Sequence, residues 1–187
     1  MMENPQYAKI GDKKYKINTS YKVALKCNDV ALDDDIGDYE KTLAIIYLLF
    51  GDEGLADKQN YDRLLDLAYK YLSCGEEPEK TNDEPDMSFK QDFGLIKASF
   101  MSDYGIDITK QDLDWYDFNM YLNGLKEDCI LNRIRSLRTL DVSTIKDNKE
   151  RQSIIKSKKR FALKKKEPKL TDEQIKSMEE LNRILGI

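Results

Sequence analysis

The 187-residue chain contains no histidine. Ser-His-Asp and Cys-His hydrolysis, the HExxH zinc site and imidazole proton shuttles all need that side chain, so each is excluded. Cysteine is scarce too. Cys27, Cys74 and Cys129 stand far apart, and an odd count with no close pair argues against a disulfide framework and against a thiolate zinc cluster. Each reads as a small apolar residue at or near a core, with its thiol reduced. Long hydrophobic runs are missing. The longest uncharged apolar stretch, Thr42–Phe50 (TLAIIYLLF), falls far short of the roughly 20 residues that a membrane span needs, so no membrane association is expected. The opening MMENPQYAKIGDKKYK has no apolar segment of the secretory-signal kind, and the expected location is the cytoplasm.

What is present suffices for a folded chain. Apolar residues make up 40% and charged residues 35%, lean but enough to close one core, so one domain, or one domain with an appendage, is expected. Two β-prone pieces around Gly11-Asp12 predict a small hairpin or edge strand over residues 7–17. Asn18-Thr19-Ser20 offers N-cap side chains to a helix beginning YKVALK. Leu43, Ile46, Tyr47 and Phe50 share one helical face and predict a helix from about Asp38 to Phe50; Tyr61, Leu64, Leu65, Ala68 and Leu72 predict another from Asn60 to Ser73, stopped near Gly75. Residues 75–87 (GEEPEKTNDEPDM) have no apolar period and read as an acidic, solvated loop. Beyond it Ser88 caps a helix striped by Phe89, Phe93, Ile96, Phe100 and Tyr104 and ended by Gly105. Thr109 looks like the N-cap of a helix carrying Trp115, Phe118, Leu122 and Leu125. Leu125–Leu137 reads as the next helix, with Ile130, Ile134 and Leu137 inward and Arg133, Arg135 and Arg138 more exposed. A capping box at Thr171-Asp172-Glu173-Gln174 predicts a final helix. The expected fold is mostly α: a helical body over residues 1–140 with a minor N-terminal hairpin, then a basic helical extension over 141–187. The two parts of the body on either side of the acidic loop each hold too few apolar residues for a core alone and are expected to pack together.

Few residues point to chemistry. Asp33-Asp34-Asp35 lacks the alternation and terminal glutamate of a calcium loop and reads as a solvated turn. Gly51-Asp52-Glu53-Gly54 lacks the Gly-Lys-Ser/Thr ending of a phosphate loop. No enzyme activity, metal or cofactor is expected. Charge is distributed unevenly. Residues 146–169 hold eleven Lys or Arg against three Asp or Glu, a net of +8, which leaves −12 on the remainder of a chain whose total is −4. The densest run, KSKKRFALKKK (residues 156–166), could contact phosphates, yet so acidic a remainder would repel nucleic acid. An acidic partner, or self-association of tail with body, is the preferred reading over nucleic acid. The aromatic set Phe89, Phe93, Phe100, Tyr104, Trp115, Phe118 and Tyr121 should be mainly helix–helix core, with some members left to face a partner's apolar helix.

The run from Phe89 to Arg138 resembles a family of small proteins from tailed phages and prophages of Gram-positive bacteria, tail-assembly-chaperone-like proteins encoded just upstream of the tape measure gene. The shared pattern is F-x-x-D-F-x-x-I-x-A-S-F-x-x-x-Y-G-I-D-I at Phe89–Ile108 and L-x-W-x-x-F-x-x-x-L-x-G-L at Leu113–Leu125, followed by an isoleucine–arginine element between Ile130 and Arg135. The opening strand and Ile17-Asn18-Thr19-Ser20-Tyr21 also fit, so the likeness spans roughly residues 7–140. It implies a non-enzymatic protein of the host cytoplasm that binds the tape measure protein and covers its apolar helical segments before the tail tube polymerises. Its contacts would fall on exposed aromatics, Tyr104, Trp115 and Tyr121, and on the basic extension, represented by Lys158, Lys159, Arg160, Lys164 and Lys165. The alternatives are a nucleic-acid-binding accessory protein acting through residues 146–169 and a structural tail component retained in the virion.

Overall fold

Gly11, at φ +59°, lets the chain reverse over two residues and pair Tyr7–Ile10 (β1) antiparallel with Lys13–Lys16 (β2), with Tyr7 opposite Lys16 and Ile10 opposite Lys13. Strand alternation then buries Ala8 and Tyr15 on one face of the hairpin. The computed structural model describes residues 4–76 and 84–164, with the single positions Lys176 and Arg183. Among these residues the hairpin is the only sheet, and the main helices are α1 Tyr21–Ala31, α2 Asp38–Ala56, α3 Tyr61–Leu72, α4 Phe89–Tyr104, α5 Trp115–Asn123, α6 Ile130–Thr139 and α7 Asn148–Phe161. The mostly α class expected from the apolar periods is therefore what the chain adopts, hairpin included. The final helix expected after Thr171 lies outside the described residues, as do residues 77–83 of the acidic loop.

Several boundaries move for identifiable reasons. α2 does not stop at Phe50 but continues to Ala56, and Gly51 (φ +64°, ψ −157°) breaks its geometry on the way. The Leu49 carbonyl next to the break accepts a 2.8 Å hydrogen bond from the Asn18 N–H, outside the helix. The buried face of α2 is Ile45, Ile46, Leu49 and Phe50, so Tyr47, expected inward, is 52% exposed. α5 begins at Trp115 rather than after Thr109. Asp114 caps it by accepting the Tyr116 N–H, whereas the Thr109 hydroxyl turns back to Asp107. α6 begins at Ile130, not Leu125, with the Cys129 sulfur accepting the Asn132 N–H, and this leaves Ile130 exposed while Leu131 and Ile134 are buried. Ser20 and Ser88 cap α1 and α4 as their positions predict, and Gly105 ends α4 in the left-handed region at φ +70°.

One core spans both sides of the acidic loop. The Trp115 N–H donates to the Thr19 carbonyl (2.7 Å) and the Tyr21 N–H to the Leu113 carbonyl (3.0 Å), a one-step β-bridge between Ser20 and Asp114. The Tyr21 ring stacks on Phe118 with centroids 4.7 Å apart, and its hydroxyl donates to the Ile108 carbonyl. The Trp115 indole N–H reaches the Leu72 carbonyl at the end of α3 (3.0 Å). Phe118 lies at the centre of the aromatic packing, against Tyr21, Phe89, Phe100 and Trp115. Cys27 and Cys129 are buried and Cys74 half-buried, as small apolar residues. Burial pushes the Cys27 thiol up to about 12 and the Cys74 thiol up to about 11.

The hairpin is fastened to the end of α2 by charge. Asp57 accepts from the Tyr15 hydroxyl, from Lys13 Nζ (3.0 Å) and from Asn60 Nδ2 (3.1 Å). Those three donors, the Tyr15 hydroxyl most of all, hold its carboxyl down to about 2 from an ordinary 3.8. A carboxyl depressed in the folded state adds stability above its ordinary value and loses that contribution as the pH falls through its folded value. Urea midpoints measured from pH 5 down to pH 2 are therefore expected to fall across the window between about 4 and about 2, and Asp57→Asn is expected to make that fall shallower.

Candidate functional site

Two contacts set α4 and α6 antiparallel. The Leu131 N–H donates to Ser99 Oγ at 3.2 Å, and seven residues along each helix Arg138 meets Asp92. Arg138, expected at the surface, is in fact largely buried: its side chain is 10% exposed and that of Asp92 is 3% exposed. The pair is bidentate, Nη1 to Oδ2 and Nη2 to Oδ1, both at 2.7 Å. Nη1 also donates to the Asp86 carbonyl (2.8 Å) and Nε to the Phe161 carbonyl (2.7 Å). Asp92 in turn accepts the Ser88 backbone N–H (3.0 Å), and Ser88 Oγ accepts the Gln91 N–H (3.3 Å), a reciprocal cap on α4. Burial raises the Asp92 carboxyl, but the Arg138 hydrogen bonds, the Ser88 N–H and the positive charges of Arg138 and Arg135 together hold it below the usual carboxylate range. Arg135 adds a 3.0 Å bond from Nε to Asp86 Oδ2. This cluster is the site that sequence reading missed. Its signals were an aspartate four residues after the Ser88 cap and an arginine on the same face of α6 as Ile134.

The opposite end of α4 is about 18 Å from Asp92 at 1.5 Å per residue and carries Tyr104. The Tyr104 hydroxyl donates to the Tyr121 carbonyl (3.0 Å), and the two rings pack with centroids 5.0 Å apart. Both tyrosines are half-buried, so they form a floor rather than a free face. Trp115 is not with them: it is 5% exposed and belongs to the core, which corrects the expectation that it is displayed to a partner. The exposed apolar side chains of this region are others, Met101 on α4 (45%), Met120 on α5 (60%) and Ile130 at the start of α6 (40%). Met101 and Met120 fall outside the apolar periods of their helices, the position an exposed contact residue occupies, whereas Ile130, expected inward, is turned out by the later start of α6.

The cations are placed on α7, which packs against α6. Lys158 is turned toward the body and its ammonium donates to the Leu140 carbonyl. Lys159 and Arg160 are exposed and, with Lys149 and Lys156, line the outward face of α7; none of the four forms an ion pair with a described residue. Lys164 is held through its main chain by Gln91. Lys165 lies outside the described residues. The structure therefore does not gather the expected aromatics and cations into one site, but places Tyr104 and Tyr121 at one end of the α4–α6 pair and the α7 cations along another side.

An open groove of about 790 Å³ runs beside the Gly51 break, lined by the α2 residues Tyr47–Asp52 and the Lys16–Thr19 strand exit. Its charged lining residues are Lys16 and Asp52. Among the described residues no group of three or more Cys, Asp or Glu side chains could hold a metal ion, and no helix is long and apolar enough to cross a membrane.

The described residues form a small, mostly α fold with one buried ion pair among them. The family follows from comparison: a family model described as Bacteriophage Gp15 protein matches residues 3–163, and the chain belongs to that bacteriophage family. The match runs past residue 140 and covers α7. No curated protein and no solved structure gives a significant match.

Arg138→Met strands the Asp92 carboxylate in the core and is expected to cost about 3–5 kcal/mol by urea denaturation. Adding Asp92→Asn, which keeps an acceptor for the Ser88 N–H but removes the charge, is expected to recover part of that loss. A double variant less stable than the single one would show that the stranded charge is not the cause.

Proposed function

We propose that this phage protein is a non-enzymatic tail assembly chaperone of the host cytoplasm, which binds apolar helical segments of the tape measure protein and keeps them from aggregating before the tail tube polymerises. The observation that carries the reading is the exposure of three large apolar side chains, Met101 on α4, Met120 on α5 and Ile130 on α6, on helices of which the first two are joined by the Tyr104–Tyr121 contact. Methionine is flexible and polarizable and suits surfaces that must accept varied apolar partners. Membership of a bacteriophage family supports the setting. A tape measure protein is long and helical, with apolar stripes that face water until the tube encloses them. Many copies of a weak helix binder could cover such a chain, since several modest contacts along one polymer act together. No nucleotide or metal is needed for binding and release of this kind.

Coexpression with the tape measure protein of the same phage tests the reading. The soluble fraction of that protein is expected to rise with this chain, and Met101→Asp/Met120→Asp is expected to abolish most of the gain without unfolding the chain. An unchanged soluble fraction with the unsubstituted chain would refute the proposal.

A second reading, a nucleic-acid-binding accessory protein, draws on the exposed cations Lys149, Lys156, Lys159 and Arg160 on the outward face of α7, none in an ion pair with a described residue. It predicts retention on random duplex DNA at low salt that falls by roughly two to three log units between about 50 and 200 mM salt, as expected for about four to five phosphate contacts. Absence of retention at the low-salt end would eliminate it.

A further inference from the structure

α7 is attached to the body in an unusual way. None of its residues is buried. Its inward side, Arg151, Ile154, Ile155, Lys158 and Phe161, is only half-buried, against α6. What seats its end is main chain. Arg138 Nε donates to the Phe161 carbonyl at 2.7 Å. The Gln91 side-chain amide donates to the Lys164 carbonyl (3.0 Å) while its oxygen accepts the Lys164 N–H (2.8 Å), so one side chain satisfies both backbone groups as a neighbouring strand would.

The receptor side of this contact does not depend on its occupant. Arg138 is held by two bonds to Asp92 and one to the Asp86 carbonyl, none of which involves α7, and Gln91 stands on the capped first turn of α4. A preformed, backbone-reading seat therefore faces a helix held by half-exposed apolar contacts and mostly solvent-exposed hydrogen bonds. Those are the marks of a segment that opens locally well below the cost of global unfolding.

We propose that α6 and the N-terminus of α4 form an exchangeable docking surface for an amphipathic helix followed by extended backbone, with residues 148–164 of this chain as its resident, and that the same segment of a second copy can take the seat in trans. The side chains asked of the occupant are an Ile154/Ile155 pair and Phe161 about two turns on, spaced to lie along α6. The seat is separate from the Met101/Met120 surface, so the proposal stands or falls independently of the tape measure reading.

The test uses the full chain and, as probe, a fluorescent synthetic peptide of residues 148–164. Amide hydrogen exchange over 148–161 is expected to be at least about tenfold faster than in α4 and α5. Ile154→Asp/Ile155→Asp in the full chain unseats its own α7 and leaves the receptor untouched. This variant is expected to bind the peptide at least about tenfold more tightly than the unsubstituted chain does, because the cis competitor is gone, and adding Gln91→Ala is expected to remove most of that gain. Exchange in α7 as slow as in α4 and α5 overturns the proposal, as does failure of the Ile154→Asp/Ile155→Asp variant to bind the peptide while α4 and α5 keep their protection. Binding that is indifferent to Gln91→Ala overturns the assigned seat.

Discussion

The bond between Asp92 and Arg138 organises the second half of the molecule. Each partner would be costly to bury alone, and each is made affordable by several hydrogen bonds at once: Asp92 by a guanidinium and a backbone N–H, Arg138 by a carboxylate and two carbonyls. Such a pair is specific more than it is strong. It demands that the N-terminus of α4, the C-terminal turn of α6, the end of the acidic loop at Asp86 and the end of α7 all arrive at one point in one geometry. Apolar packing of Ile96, Phe100, Leu131 and Ile134 would tolerate small slides of α4 along α6. A bidentate contact with no spare donor at the acceptor carboxylate does not.

The sequence revealed the elements whose code is local. Ser20 and Ser88 before apolar stripes, Gly105 after one, and Gly11-Asp12 between two β-prone pieces each have a mechanism confined to a few neighbouring residues. The shift of α5 from Thr109 to Trp115 shows where local rules run out. Thr109 and Asp114 are both competent caps, and the Ser20–Asp114 bridge, a contact between distant parts of the chain, selects the second. The Asp92–Arg138 pair was hidden for the same reason. An arginine on a half-polar helix reads as exposed until its partner, 46 residues away, is known. Trp115 was misplaced by the reverse error, since a residue suited to interfaces is equally suited to a core when the Leu72 carbonyl is there to accept its indole N–H.

Surface chemistry is sorted by location. The exposed apolar residues Met101, Met120 and Ile130 lie on α4, α5 and the start of α6, and the cations lie on α7, whose end meets the C-terminal turn of α6. A helical partner touching the first surface would not have to displace the second. Residues 146–169 carry a net +8 and the remainder of the chain −12, so α7 and the body are of opposite sign.

The way Gln91 and Arg138 grip residues 161–164 has a consequence for how related chains diverge. Peptide groups are common to every amino acid except for the missing proline hydrogen, so the exposed side chains of Ala162 and Lys164 carry no information for the grip. Mutations there, proline at 164 excepted, should accumulate without penalty. Kinship among C-terminal arms would then persist in shape after it has faded from the letters of the alignment.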